Sequence, residues 1–550
     1  MLHRLEKLFR NCRLDEPRIG IVSLWDVENN AVRILSGTLR AAGFEVVEIY
    51  FKDWISNALD PASDIQLDNL AKIVRREELN LVCLSIRASA YANQARIITE
   101  YLHREMELPV LWGGMHPTLS PLESIQYADM VLKGEGELAL LEFVQALKGG
   151  NEEAIYASPN LWFRKSKKLE ELDTRKYKEH LEQRKKFPIR TKDEDIIQNP
   201  LRSLIQNLDD LEFRDYTTHD KKYFIYGRHY MQGDPMHGDP VFQMMGSRGC
   251  IYKCSYCYNS TYKSDIYPGQ KWFRVRSPKS MVEEIQRARD HWDFKRIRFD
   301  DEVFNFRLDW LEDFCERYPR DVGMPFEIFI EPKLVNEHRM EMLRDAGLKN
   351  VYMGVQSSER VTGNLYDRRV KNQTIADIAE IYHRLGVKPH FQLIFDDPVS
   401  TEEDKQKLFE MISTFPHPYD LYLFSMTVFP GSELNHKLLQ NGLISRFDIE
   451  GDNTKTFNQH RINLSYPRPV EDTFWIALTQ MLSKPFVPRS MLRILAKSET
   501  LKQHPWPLIQ IANTTNVVKM GMLSTKMVAK GEMTSTLLRR WLSTERLITT

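Results

Sequence analysis

Short apolar runs alternate with amphipathic stretches in two separate blocks of this chain, and that alternation leaves few folds open. In the first block the apolar runs are 18–24, 44–51, 79–86, 109–112 and 129–132, and the amphipathic stretches are 31–42, 64–77, 91–105 and 137–147. Strand then helix, repeated, is the pattern of a parallel sheet wound on both faces. Gly43, Gly113, Gly114, Gly149 and Gly150 fall at the joins, where a helix stop or a turn is needed. In the second block strands are expected at 241–245, 296–299, 326–330, 351–355, 390–395 and 421–428, with helices at 278–292, 308–318, 336–346, 373–385 and 402–413. Six such units predict a partial (β/α)6 barrel of the TIM type, whose chemistry belongs at the C-terminal ends of its strands.

The stretches around these blocks are plainer. Residues 165–195 are dense in Lys, Arg, Asp and Glu, which reads as a solvated helical linker. From about 448 onward strand alternation is absent and helix dominates. The expected organisation is an N-terminal arm over 1–17, a doubly wound flavodoxin-like domain over 18–150, a charged linker over 151–238, the barrel over 239–447 and a helical C-terminal domain over 448–550. Over 499–550, Lys502, Lys519, Lys526, Lys530, Arg539 and Arg540 are interspersed with Met520, Met522, Met527 and Met533. That stretch fits a helix packed on the barrel, and peripheral contact with a membrane is its alternative.

Composition excludes several classes. Among 550 residues the Lys plus Arg and Asp plus Glu counts are both 76, so a dedicated nucleic-acid coat is not expected. No segment approaches the roughly 20 apolar residues of a membrane span, and the basic start lacks the apolar core of a secretory signal. Six cysteines are too few for a disulfide scaffold in a chain this long, and three of them crowd at 250, 254 and 257. A reducing, cytoplasmic compartment with one metal or redox site follows.

The crowded cysteines lie in 246–259, Gly-Ser-Arg-Gly-Cys-Ile-Tyr-Lys-Cys-Ser-Tyr-Cys-Tyr-Asn, directly after the first barrel strand. Cys250, Cys254 and Cys257 can bind three irons of a cubane cluster, leaving the fourth iron open to chelate a substrate. A zinc site would need a fourth protein ligand from a distant side chain such as His237. Tyr256 offers an aromatic wall to the cluster or to a bound adenine.

This cysteine arrangement, with six βα units, resembles the radical S-adenosylmethionine superfamily. The resemblance implies a 4Fe–4S cluster whose open iron is chelated by S-adenosylmethionine, and reductive cleavage to methionine and a 5′-deoxyadenosyl radical. Asp300 and Asp301 are similar to the family's acidic pair near the methionine end of the cofactor. Gly354, Gln356 and Ser357 match its ribose-contacting strand, and 429–433 matches its Pro-Gly turn. The fifth strand departs from the pattern, since 393–398 carries no glycine. Asp301, Gln356 and Glu331 are the catalytic candidates.

In the first block the loops 25–30, 87–92, 113–118 and 133–137 follow strand ends. None carries a dinucleotide fingerprint or a Walker A sequence. Gly-Gly-x-His-Pro-Thr at 113–118, followed by Gly-Glu-Gly-Glu at 134–137, resembles the cobalamin-binding domain that precedes many radical S-adenosylmethionine enzymes. The resemblance implies cobalamin contacts from Ser85, Gly113, Gly114, His116, Gly134, Glu135 and Gly136. An Asp-x-His-x-x-Gly motif is absent, so His116 is not expected to ligate cobalt. Together the resemblances imply methylation of an unactivated carbon on a small-molecule or lipid-like substrate, with an electron donor such as flavodoxin or ferredoxin. Radical cyclisation or rearrangement without methyl transfer is one alternative, and an iron–sulfur redox sensor or scaffold is another.

Overall fold

The structure is a computed structural model that describes residues 4–9, 16–52, 61–164, 196–217, 220–429, 431–444 and 468–529. The 165–195 charge run, Cys12, Pro430, Lys530, Met533, Arg539 and Arg540 lie outside the described residues. The chain divides into two compact units. One runs to Met236 apart from 205–210, and the other takes those residues and continues from His237.

The first unit is built on strands β1 (Ile19–Leu24), β2 (Val46–Phe51), β3 (Leu81–Ser85), β4 (Val110–Gly113), β5 (Met130–Leu132), β6 (Leu161–Arg164), β7 (Ile196–Gln198), β8 (Lys222–Tyr226) and β9 (His229–Gln232). They form one sheet in the order β7-β6-β5-β4-β3-β1-β2-β8-β9. Its centre, β2-β1-β3-β4-β5, is parallel and has the doubly wound order that reverses between β1 and β3. Both faces are covered. Val22, Leu24, Val82 and Leu84 pack into one core, while Ile19, Ile21, Leu81 and Cys83 pack into the other. Hence these strands read as continuous apolar runs. Helix Asn30–Ala41 starts on the Asn29 side chain, which accepts from the Ala31 and Val32 amides.

The stretch expected as a linker over 151–238 is corrected here. Its described residues supply β6 and β7, antiparallel on the β5 edge, and β8 and β9 on the β2 edge. These strands have three to five residues each, too short to show alternation, and β8 opens on a buried lysine. Lys222 belongs to an interior charge cluster: its Nζ lies 3.3 Å from Asp234, 3.6 Å from Glu48 and 3.7 Å from Asp215. Arg33 donates to Asp234 at 2.8 Å, and the Tyr50 hydroxyl donates to Glu48 at 2.6 Å.

The second unit contains β10 (Val241–Met244), a short antiparallel pair of β11 (Ser247–Arg248) and β12 (Arg274–Val275), then β13 (Arg296–Phe299), β14 (Phe326–Ile330), β15 (Leu348–Gln356), β16 (Lys388–Phe395) and β17 (Asp420–Ser425). Strands β10, β13, β14, β15, β16 and β17 pair in that order, all parallel. Helices Pro278–Arg289, Leu308–Asp321, Glu337–Asp345, Asn372–Leu385 and Glu402–Ile412 connect them. This is the six-stranded partial barrel that the sequence predicts. Its convex face is aromatic, with Phe299 and Phe326 edge-on to Phe314 and Tyr318. Beyond the barrel, helices Val470–Leu482, Arg489–Leu495, Glu499–Gln503 and Trp506–Ala529 complete the described chain. The last buries only Leu508, Ala512 and Thr515. No helix among the described residues is long and apolar enough to cross a membrane.

Candidate functional site

The cysteine loop grows from the end of β10, where the chain must turn sharply. Gly249 has φ +77°, and a Cβ there would stand 2.5 Å from the Trp272 carbonyl, so only glycine fits. The loop is tied down at several points. Ser255 donates its amide to the Tyr366 carbonyl at 3.0 Å and its hydroxyl to that of Leu365 at 2.5 Å, and its own carbonyl accepts from the Leu434 amide at 2.9 Å. The Ser260 hydroxyl donates to the Cys254 carbonyl at 2.7 Å. Cys250, Cys254 and Cys257 thus share one braced loop, each half-buried.

Burial pushes the Cys250 thiol up to about 11 and raises those of Cys254 and Cys257 as well. Thiolates here need a nearby cation, and a bound metal supplies one. Among the described residues no group of three or more His, Cys, Asp or Glu side chains is arranged around a single ion position.

The strand ends present the other candidates. Asp301 is buried; it accepts from the Ser247 hydroxyl and from the Gly246 and Ser247 amides, and its Oδ2 has no partner. Burial outweighs those bonds and pushes its carboxyl up to about 7. It therefore grips the root of the cysteine loop, whereas Asp300 is held by Arg298 at 2.6 Å. Gln356 closes β15 with φ +70°. A Cβ on Gly354 would stand 2.1 Å from its amide nitrogen and 3.0 Å from Arg368, so Gly354 is the cradle in which Gln356 folds back. Ser357, next along, is buried. Glu331 accepts from the Lys333 amide at 2.6 Å and from Arg368 Nε at 3.1 Å, and it also bonds Tyr252 of the cysteine loop. Tyr256 meets Tyr366 edge-on at 5.1 Å and packs against the apolar cluster that includes Val361, Leu365 and Met426.

Arg368 is the member that sequence reasoning missed. It sits buried in a loop without periodicity, and only the folded Glu331 pairing distinguishes it from surface arginines.

In the first unit the four expected loops all follow the C-terminal ends of β1, β3, β4 and β5. Ser85 accepts from Asn29 Nδ2 at 3.1 Å, which links the loops after β1 and β3. Gly114 has φ +106°, and a Cβ there would come 2.8 Å from the Ile86 carbonyl. Thr118 joins the remaining pair: its hydroxyl donates to the Gly114 carbonyl at 2.7 Å and accepts from the Gly134 amide at 2.9 Å. The Glu135 carbonyl accepts from Asn160 at 3.2 Å. At Gly136 a Cβ would meet Leu132 and Leu35 at 3.3 Å. His116 is buried, with Nδ1 3.1 Å from the Ser89 hydroxyl and no partner for Nε2. Burial brings its pKa down to about 4, so the ring is neutral.

A six-stranded parallel barrel with three cysteines on the loop after its first strand defines a radical S-adenosylmethionine protein, and the comparisons agree. The Radical SAM superfamily model matches residues 244–412, and the B12 binding domain model matches residues 19–144. The chain belongs to the radical S-adenosylmethionine enzymes that carry a cobalamin-binding domain ahead of the barrel. Its cofactors are accordingly a 4Fe–4S cluster, S-adenosylmethionine and cobalamin. It is 22% identical over 387 residues to an uncharacterized methyltransferase of Pyrococcus horikoshii, covering 70% of this chain and 74% of that one. It is 21% identical over 449 residues to the cytidylyl-2-hydroxyethylphosphonate methyltransferase of Streptomyces wedmorensis, covering 74% and 77%. The solved structure of the cobalamin-dependent S-adenosylmethionine radical enzyme OxsB, with aqua-cobalamin and S-adenosylmethionine bound, superposes with a TM-score of 0.59. It is 13% identical, over 96% of this chain and 84% of that one.

The residues fit these groups. Three half-buried thiols on a braced loop match the donor set of an open cubane. The glycine turns and the unpartnered His116 Nε2 sit at the strand-end edge where a doubly wound sheet binds ligands.

Proposed function

We propose that this enzyme methylates an unactivated carbon of a small molecule. The observation that carries the reading is the pairing of an open-site cysteine loop with a cobalamin-binding sheet in one chain, supported by the two relatives named as methyltransferases. When bound, the cluster with S-adenosylmethionine supplies a 5′-deoxyadenosyl radical, and cobalamin supplies a methyl group.

Cys250, Cys254 and Cys257 hold one iron each, and Tyr256 shields them. Gly354, Gln356 and Ser357 line the nucleoside, with Asp300 at the methionine end. Asp301 is a positioning residue for the loop root, and Glu331 with Arg368 fixes the loop's far side. Ser85, Gly113, Gly114, His116, Gly134, Glu135 and Gly136 border the corrin. The neutral His116 offers it a hydrogen bond rather than a charge. An external flavodoxin or ferredoxin delivers the electron, and the cytoplasm is the compartment whose reducing poise suits an open cluster and free thiols.

The test is anaerobic reconstitution with iron, sulfide and cobalamin, followed by mass spectrometry of small molecules from expressing cells. A methylated product together with 5′-deoxyadenosine is the expected result. 5′-Deoxyadenosine with no methylated product overturns methyl transfer and leaves cyclisation or rearrangement.

A further inference from the structure

The concave face of the barrel sheet carries a row of rings that the cofactor site does not use. Alternation separates the faces: Phe391 and Leu393 point to the buried convex side, and His390, Gln392 and Ile394 to the concave one. On β14 and β16 the convex positions are buried throughout, whereas Arg298, Phe329, Tyr352, Gln392, Tyr422 and Phe424 on the other face are half-exposed. The concave face is therefore reachable from solvent.

On it Phe329, Tyr352 and His390 stand in register across β14, β15 and β16. Ring centroids are 4.7 and 4.6 Å apart, with planes within 17°. Tyr422 tilts across the end of the row, 5.6 Å from His390 at 51°. Tyr352 lies two residues before Gly354 on the same strand, so the row stands about 7 Å below the cofactor-lining strand end.

The charges beside the row are already matched. Glu327 lies 3.6 Å from Arg296 and accepts from Tyr352 at 3.0 Å and from Asn350 at 2.8 Å. Asp420 binds Lys388 at 2.5 Å and also Lys519. Arg298 holds Asp300 at 2.6 Å and Gln243 at 2.7 Å. His390 differs. It is 7% exposed, and neither ring nitrogen has a hydrogen-bond partner; Nδ1 lies 3.3 Å from Asp420 without bonding geometry. A buried polar atom left unpaired costs roughly 1–3 kcal/mol, which a ligand group can recover.

We propose that Phe329, Tyr352, His390 and Tyr422 form the substrate seat, and that it takes an uncharged planar ring bearing a hydroxyl or carbonyl group, which His390 engages. This rests on the radical chemistry assigned above and names its substrate class. A ring matches the aromatic edges and the tilted Tyr422 face. Absence of net charge follows because the flanking carboxylates and cations neutralise one another. Burial holds His390 at about 4, so its neutral ring offers one donor and one acceptor.

The probe is 5-hydroxyindole, measured by equilibrium dialysis against the full-length reconstituted protein, with cyclohexanol as the saturated control. Wild type should take up 5-hydroxyindole in preference to cyclohexanol. His390→Phe keeps a ring in the row but removes both nitrogens, and should weaken binding about tenfold. His390→Asn restores a donor and an acceptor and should recover most of that loss. Thermal melts report whether each variant is folded, and Tyr422→Leu, expected to weaken uptake as well, provides a second reading if His390→Phe is not. No uptake by wild type, equal uptake of cyclohexanol, or unchanged affinity in the folded variants would overturn the seat. Failure of the radical assignment is separately visible, as wild-type protein that makes no 5′-deoxyadenosine while the dialysis still reads the seat.

Discussion

The two parallel sheets bury their strands in opposite ways. In the first unit β1 and β2 are buried at every position, because helices cover both faces. In the second unit β14 and β16 are buried at every convex position, while Phe329, Gln392 and Ile394 on the concave side are half-exposed. A sheet covered on both faces can offer ligands only its edge, so function there is confined to loops and depends on backbone shape. A sheet curved around an open face can use strand side chains directly, so function there depends on side-chain chemistry. Substitutions should therefore act through conformation in the first unit and through removed groups in the second.

The largest expected effect is at the cysteine loop. Ala at Cys250, Cys254 or Cys257 should remove most of the iron and lower S-adenosylmethionine cleavage at least about 100-fold, because each thiolate holds its own iron. Cys83→Ala, in the first unit's core, should leave iron content unchanged while lowering the melting temperature. Next is Arg368→Met. It strands the buried Glu331 carboxylate, and breaking one side of a buried pair costs about 3–5 kcal/mol. The melt should fall accordingly, and S-adenosylmethionine should bind more weakly.

In the first unit, Gly114→Ala should cost about 1–3 kcal/mol because the backbone is left-handed and Ile86 stands in the way. Gly113→Ala meets only ordinary contacts at 3.9 Å, so its sheet should fold. Corrin uptake by absorbance then separates the two: Gly113→Ala retaining the fold but losing cobalamin supports the edge site, and both variants retaining cobalamin breaks it.

The effect that is smallest at any one step is a pH slope. Asp301 in the folded apoprotein titrates near about 7 against 3.8 for an ordinary aspartate. Between those values the folded state holds the extra proton, so stability falls as pH rises, by up to ~1.4 kcal/mol per unit. Asp301→Asn should flatten the slope in urea melts between pH 4 and 7. An unchanged slope would place the carboxylate in a solvated setting.

What was legible in the sequence follows the same division. The five central strands of the first unit and the six of the barrel were visible, because parallel strands need long apolar runs and crossover helices to cover them. The edge strands β6 to β9 were not, since runs of three to five residues are too short to show alternation, even though β6 and β8 bury side chains in the unit's cores. Among site residues, the spacing of the cysteines after a strand was enough to bring them onto one loop. Asp300 and Asp301 looked like one acidic pair, yet strand alternation sends their carboxylates to different neighbours. Arg368 and His390 carried no local signal, because what distinguishes them is which partners burial gives or denies them.

The charge cluster around Lys222 bears on where this protein can be cut. The B12 binding domain match ends at residue 144, and a fragment trimmed near there would keep Arg33 and Glu48 but lose Lys222, Asp215 and Asp234. Arg33 and Glu48 would then each lose the ion-pair partner that stands nearest them in the middle of the unit. A recombinant cobalamin-binding fragment should therefore extend through Met236, some ninety residues past its apparent family boundary, if it is to stay folded apart from the barrel.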